Sequence, residues 1–401
     1  MKTEIIPRNQ YLDRIRPFVG KQLIKVLTGQ RRVGKSYLLK QLMQEAEANK
    51  NETHIIYINK EDMQFSHIKT ADDLNRHVHE HTREGKRNHV YIDEIQEVEN
   101  FEYALRSLLL NPVYDIYCTG SNANMLSGEL ATHLAGRYIE FRINSLSFIE
   151  FLNFHNLPNE RQSMMQYIRF GGLPYLKHLE LDDEIIFNYL KGIYNTILFR
   201  DVIMRFEVRN TAFLENLVAF LAENIGQQFS ANKISAYLKS QRTSIAASQV
   251  IQYLSHLTNA FLVHRVQRFD IFGKRIFEIG EKFYFEDLGL RNSLTGFKMA
   301  DIGKMMENVV FHHLKCQEFD IKVGQTGSNE VDFIAGKKGE LIYVQVCYLL
   351  QDEKTITREF GNLEKIQDNY PKMVVSMDDF QGSTYRGILH YKLLDFLNLE
   401  L

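Results

Sequence analysis

The feature that most restricts what this chain can fold into is Gly29-Gln30-Arg31-Arg32-Val33-Gly34-Lys35-Ser36. It fits the spacing G-x-x-x-x-G-K-[ST] and stands between an apolar run, Leu23–Thr28, and a stretch of helical periodicity, Lys35–Ala48. Gly29 and Gly34 permit backbone conformations that other residues resist. Successive amides of Gln30, Arg31, Arg32 and Val33 can then turn onto phosphate oxygens. The following helix directs its positive end at the same anion. Lys35 is the expected partner of the β- and γ-phosphates, and the Ser36 hydroxyl that of Mg²⁺. The Arg31 and Arg32 side chains reach either phosphate or solvent. Residue frequencies alone produce such a match in about one chain in a hundred, and the strand–loop–helix setting lowers that further.

Short apolar runs alternate with amphipathic stretches through the first 143 residues. Strands are predicted at His54–Asn59, His89–Asp93, Tyr114–Thr119 and Tyr138–Ile143, with helices at Ala71–Arg83, Phe101–Leu110 and Ala123–Leu134. That alternation implies a parallel sheet covered by helices, with ligands beyond the carboxyl ends of its strands. The run His89-Val90-Tyr91-Ile92-Asp93-Glu94 ends in two acids. Asp93 is placed to hold the Mg²⁺ shell, and Glu94 to polarise the attacking water. The next buried strand ends Cys118-Thr119-Gly120-Ser121-Asn122. Ser121, or failing it Thr119 or Asn122, is the candidate γ-phosphate sensor, with a helix cap as the alternative role. Arg137 either stabilises transition-state charge, in cis or from a neighbouring subunit, or simply begins a strand at the surface. Tyr11, with Ile5, Ile6 and Pro7, either lines an adenine pocket or packs the N-terminus. No guanine-reading Asn-Lys-x-Asp run occurs, which favours ATP.

The chain has 401 residues, room for two to four domains at roughly 100–200 each. Its net charge of −2 gives no global case for nucleic acid. No apolar run approaches the ~18 residues of a membrane span, the first residues are too polar for a secretory signal, and three scattered cysteines suit a reducing cytosol. A cytosolic protein without membrane partners is expected. From Leu146 to about Asn224 aromatic and aliphatic residues recur at helical spacing, as in Ile186, Tyr189, Leu190, Ile193 and Ile197. This segment reads as a helical lid and connector. Helices at Ala231–Leu238 and Ile245–Thr258, capped by Ser230 and Ser244, precede strands Phe261–Arg268 and Arg275–Phe285. That order suggests a winged helix over 225–292.

Taken together these residues resemble the bacterial and archaeal AAA-type ATPases of the P-loop superfamily. The resemblance rests on the phosphate loop, Ile92-Asp93-Glu94-Ile95-Gln96, Thr119-Gly120-Ser121, Gly136-Arg137, Gly171-Gly172-Leu173-Pro174 and Arg200-Asp201. It extends through Lys282-Phe283-Tyr284-Phe285-Glu286-Asp287-Leu288-Gly289-Leu290-Arg291 and Glu330-Val331-Asp332-Phe333, which look like the domain of unknown function attached to these ATPases. The resemblance implies an ATPase core, a winged-helix region and a restriction-endonuclease-like C-terminal fold. In nucleases of that last fold a helix acid, a strand Asp and Glu-x-Lys gather around Mg²⁺. Glu307 and Asp332 fit the first two positions, but Gln345-Val346-Cys347 stands where Glu-x-Lys would. The domain is therefore expected not to cut DNA.

The candidate recognition helix carries Gln249, Gln252, Ser255 and His256 rather than Arg or Lys. Basic residues lie before it (Lys233, Lys239, Arg242) and on the hairpin (Arg265, Arg268, Lys274, Arg275). DNA is thus the less favoured partner, and coupling between domains the preferred role. The expected fold is α/β: a P-loop parallel sheet over 1–145, a helical lid over 146–224, a winged helix over 225–292 and a mixed α/β domain over 293–401. ATP and Mg²⁺ are the expected ligands. A protein client and a homo-oligomer are left open by the sequence.

Overall fold

The computed structural model describes residues 5–48, 51–123, 134, 136–240, 246–273, 275–327, 329–350, 352–378 and 384–401. Most of the helix expected at Ala123–Leu134 lies outside them, as do Arg242, Ser244 and Lys274. The chain packs as two compact units, Met1–Ile143 with Asn259–Phe261, and Asn144–Thr258 with Leu262–Leu401. Apart from Asn259–Phe261, the segments that the sequence divides after residue 145 belong to this second unit.

The first unit is built on five strands, β1 (Ile24–Thr28), β2 (Thr53–Asn59), β3 (Arg87–Asp93), β4 (Tyr114–Gly120) and β5 (Tyr138–Arg142), in the order β2-β3-β4-β1-β5. Every neighbouring pair is parallel. β1 and β4 are buried along their whole length, as central parallel strands must be when both faces are covered. Side chains alternate between those faces. Ile24, Val26, Ile56, Ile58, Val90, Ile92, Ile116 and Cys118 form one apolar cluster with Leu74 and Val78 of α3 (Ala71–Glu80) and Leu105 and Leu108 of α4 (Phe101–Leu109). Thr70 and Asp73 cap α3 reciprocally.

The residues between these, Lys25, His89, Tyr91, Asp115 and Tyr117, point to the other face. Tyr91 stacks on Tyr117 with ring centres 4.7 Å apart, and Lys25 forms an ion pair with Asp115 in which both side chains are fully buried. A short helix, Asn9–Ile15, precedes the sheet as α1, and α2 (Lys35–Glu47) packs on β2, β3 and β4. Leu38, Leu39 and Leu42 of α2 are buried outside the apolar cluster, so α2 covers this second face. Asp93 and Thr119 are the next members of the alternation, and the strands deliver them on the α2 side at the carboxyl edge.

The second unit opens with helices and ends on a nine-stranded mixed sheet. Its strands are β6 (Gln228–Phe229), β7 (Val263–Asp270), β8 (Arg275–Phe285), β9 (Asp320–Thr326), β10 (Asn329–Lys337), β11 (Glu340–Val346), β12 (Lys372–Ser376), β13 (Thr384–Tyr385) and β14 (Ile388–Lys392), in the order β13-β14-β12-β11-β10-β9-β7-β8-β6. The β7–β8 hairpin anticipated from the sequence is present and antiparallel. Beyond the hairpin itself, β7 pairs in parallel with β9 over Arg268–Asp270, and β8 pairs with β6 at Glu281 and Lys282. At those positions the hairpin is joined to the larger sheet.

Two sequence segments that look unrelated turn out to be partners. Asp287 caps the helix Leu288–Thr295 by accepting from the Leu290 amide at 3.1 Å, and it accepts from the Gly172 amide at 2.6 Å. Gly171 sits at φ +78°, and a Cβ there would meet the Asp287 carboxylate at 2.2 Å. The Gly-Gly turn is thus shaped by that carboxylate. The adjacent Glu286 accepts from the Ser145 amide at 2.8 Å and lies 2.5 Å from His264 and 3.6 Å from His312. Burial opposes its charge, but the two imidazoles hold Glu286 well below the usual carboxylate range.

Candidate nucleotide site

β1 ends at Thr28, and the loop 29–34 carries the chain into α2. Gly29 has φ +149° and Gly34 φ +99°. A Cβ on Gly29 would lie 2.1 Å from the Ile143 carbonyl oxygen, so the loop passes too close to the end of β5 for any side chain there. Lys35 is buried, and its ammonium donates to the Gly29 and Gln30 carbonyls at 2.9 Å each. Arg8 of the N-terminal segment donates to the Val33 carbonyl at 2.9 Å, and Gln41 of α2 accepts from the Arg8 amide at 3.3 Å. The expected neighbour Tyr11 is fully buried, with the Arg8 guanidinium over its ring at 4.5 Å. Arg31 is buried and pairs with Glu61 at 3.0 Å, whereas Arg32 is exposed at φ +72°. Val33 is buried, and Gln30 donates from its amide to the Phe261 carbonyl at 3.1 Å.

The strand order decides what meets this loop. β4 lies between β1 and β3, with Leu27 opposite Thr119 and Ile92 opposite Cys118. Thr119 Oγ1 donates to Asp93 Oδ1 at 2.5 Å and accepts from the Glu94 amide at 2.9 Å. The Ser36 hydroxyl lies near enough to Asp93 to favour its charged form. Burial raises the Asp93 pKa, with Glu94 adding to the rise and the Thr119 and Ser36 hydroxyls and Lys35 opposing it. Glu94 leaves the strand at φ +57°, a conformation non-glycine residues hold at a cost of about 1–3 kcal/mol, and one that gathers at functional sites. Its carboxylate accepts from Ser121 at 3.3 Å and from the Gln96 amide. Burial works against its charge, but Lys35 and Arg31 outweigh that and keep Glu94 ionised.

Lys35, Ser36, Asp93, Glu94 and Ser121 therefore converge. Arg137 does not join them. It is exposed and precedes β5 at the amino edge, where its carbonyl accepts from Ile24 at the start of β1. Four residues of strand, about 13 Å, separate that edge from the loop. Arg142 lies at the correct edge, opposite Thr28, with its guanidinium 4.8 Å from the Phe261 ring. The sequence places Thr119 behind Ser121 as a sensor, assigns Gln96 no role of its own, and does not mark Arg142. The period-2 alternation from Asp115 through Tyr117 to Thr119 was the available signal for Thr119. Nothing local marks Arg142, because its place follows from the register of β5 on β1.

Residues 21–152 match the family model of an AAA domain, and residues 161–301 match a domain of unknown function. An uncharacterized protein of Haemophilus influenzae is 35% identical over 406 residues, covering 99% of this chain and 100% of its own length. An uncharacterized protein of Methanocaldococcus jannaschii is 33% identical over 362 residues, covering 85% and 78%. Among solved structures, a Walker-type ATPase of Pyrococcus abyssi overlaps with a TM-score of 0.47 at 15% identity, covering 73% of this chain and 96% of that one. The chain belongs to the AAA-type P-loop ATPase family in which a domain of unknown function follows the nucleotide module.

Proposed function

We propose that the protein hydrolyses ATP with Mg²⁺ and uses the state of the γ-phosphate to drive rearrangement of a domain or a protein client. The observation that carries this reading is the junction at Thr119, which ties the acid beside Ser36 to the acid beside Lys35. The donor set suits the ligand. A buried ammonium lies among loop carbonyls, and a hydroxyl and a carboxylate offer the hard oxygen ligands Mg²⁺ takes.

Lys35 and the loop amides bind the β- and γ-phosphates. Ser36 and Asp93 would hold the Mg²⁺, which when bound offsets charge on those phosphates. Glu94, kept ionised, orients a water and takes its proton through the carboxylate that Ser121 and Gln96 now hold. Ser121, which now bonds Glu94, would exchange that bond for one to the γ-phosphate. Release of the phosphate frees Glu94 and Ser121 to return to each other, a two-state change that a neighbouring segment can read.

Steady-state phosphate release by the wild type and by Glu94→Gln, with ATP binding measured on both, tests the proposal. Multiple turnovers by the wild type and retained binding with turnover lowered about 10²–10⁴-fold in the variant are expected. A wild type that binds ATP yet never passes one turnover would make the protein a nucleotide switch instead. Stimulation by DNA would redirect the search for the client.

A further inference from the structure

The mixed sheet of the second unit contains a charged centre that ATP hydrolysis does not use. Restriction-endonuclease-like chemistry would gather Glu307, Asp332 and a Glu-x-Lys pair around a divalent cation. Three carboxylates do gather here, Glu307 from the helix Ile302–Cys316 and Glu330 and Asp332 from β10. What they gather around is an ammonium. Lys282 Nζ of β8 lies 2.8 Å from Glu307 Oε1, 2.6 Å from Glu330 Oε1 and 3.4 Å from Asp332 Oδ1, with the lysine side chain only 3% exposed.

Each of these carboxylates also accepts from elsewhere in the chain. Tyr284 donates to Glu307 at 2.6 Å, the Gln228 amide donates to Glu330, and the Val346 amide donates to Asp332 Oδ2 at 2.9 Å. Gln345, at the place of the missing acid, accepts from the Asp332 amide at 3.3 Å and donates to Glu359 at 2.9 Å. Burial pushes the Cys347 thiol far up, so it stays protonated. The residues present do not fit a divalent metal. A metal would have to displace a buried ammonium from all three of its carboxylates and leave it unpaired, which burial strongly disfavours.

We propose that Lys282 occupies the cation position of this centre, so that the unit is closed by its own counter-ion and takes no divalent metal. The donor set supports this. A neutral amide replaces one acid at Gln345, and the three acids that remain all contact Lys282 Nζ. The lysine absent from β11 has in effect been replaced by one from β8, in the role of metal rather than of catalyst.

The test uses nucleotide-free, full-length protein titrated with Mn²⁺, with free Mn²⁺ followed by electron paramagnetic resonance and thermal midpoints recorded alongside. Every variant keeps the phosphate loop intact, so differences report on this centre. Wild type and Asp332→Asn are expected to bind Mn²⁺ identically. Lys282→Met, which removes the ammonium and keeps the length, is expected to gain one Mn²⁺ per chain and a Mn²⁺-dependent rise in midpoint. Both gains should vanish in Lys282→Met/Asp332→Asn. A wild-type Mn²⁺ site lost on Asp332→Asn overturns the proposal. So does a folded Lys282→Met that gains none. If Lys282→Met does not fold alone, Lys282→Gln is refolded with and without Mn²⁺, and refolding without a gain from the metal counts against the proposal.

Discussion

The Thr119 hydroxyl stands 2.5 Å from Asp93 Oδ1 and receives the Glu94 amide at 2.9 Å, so one β4 side chain fastens both acids of the candidate site. Thr119→Val keeps the shape and deletes the hydroxyl. It leaves a buried carboxylate oxygen and a buried amide short of partners, at a cost of about 1–3 kcal/mol. Mg²⁺-ATP affinity is expected to fall about 10- to 100-fold by calorimetry. Thr119→Ser should restore most of it. Equal behaviour of the two variants would show that the hydroxyl does not organise the site.

Arg137 and Arg142 bracket the same short strand, but only Arg142 ends it beside Thr28. Arg137→Ala, an exposed change away from the loop, should shift ATP affinity of dilute protein by no more than about twofold. Arg142→Ala should weaken it several-fold. The reverse ranking in a binding titration would mean that the sheet edge is not where the nucleotide lies.

Lys25 and Asp115 are paired inside the first unit with neither exposed, and burial lowers the lysine's pKa against the pull of the carboxylate. Removing one partner strands the other. Lys25→Met is expected to destabilise the fold by about 3–5 kcal/mol in urea unfolding. The double change Lys25→Met/Asp115→Leu should cost less than the sum of the two single changes. Additive losses would mean that the ion pair is not coupled.

His313 is buried on the helix Ile302–Cys316, and its Nε2 takes a 2.7 Å hydrogen bond from the Gln317 amide, a role open only to the neutral ring. Burial, helped by the charge of His312, lowers its pKa to about 4. The unfolded chain therefore binds more protons between about pH 6.5 and 4, and stability rises with pH through that window. Its contribution is complete above pH 6.5 and is lost as the medium acidifies towards 4. Urea midpoints recorded from pH 7 to 4.5 should fall less steeply for His313→Gln than for the wild type.

Much of the nucleotide module could be read locally. A phosphate loop must follow a strand and open a helix, and the strand–helix alternation around it implies a parallel sheet. Asp93 and Glu94 were legible because two acids end a buried strand beside a phosphate loop; alone they would equally fit a solvated strand end. The role of Thr119 was less so, because a hydroxyl at a strand end is equally a cap or a sensor until its neighbours are known. In the second unit the hairpin was visible as two apolar runs about a turn, but its incorporation into a larger sheet was not. The β7–β9 pairing joins strands separated by an intervening hairpin strand and two helices, and no short-range pattern encodes it.

What the sequence determined alone is the chemistry that local geometry enforces: the glycines, the lysine and the hydroxyl of the loop, and the departure of Gln345-Val346-Cys347 from a nuclease pattern. Tertiary structure decided which charges neutralise which. It set Arg142 rather than Arg137 beside the loop, and it brought Lys282 to Glu307, Glu330 and Asp332 from 25 to 50 positions away. The reason is physical. Backbone preference acts over a few residues, whereas a buried charge must find its partner wherever packing removes water, and that place exists only once the sheet has formed.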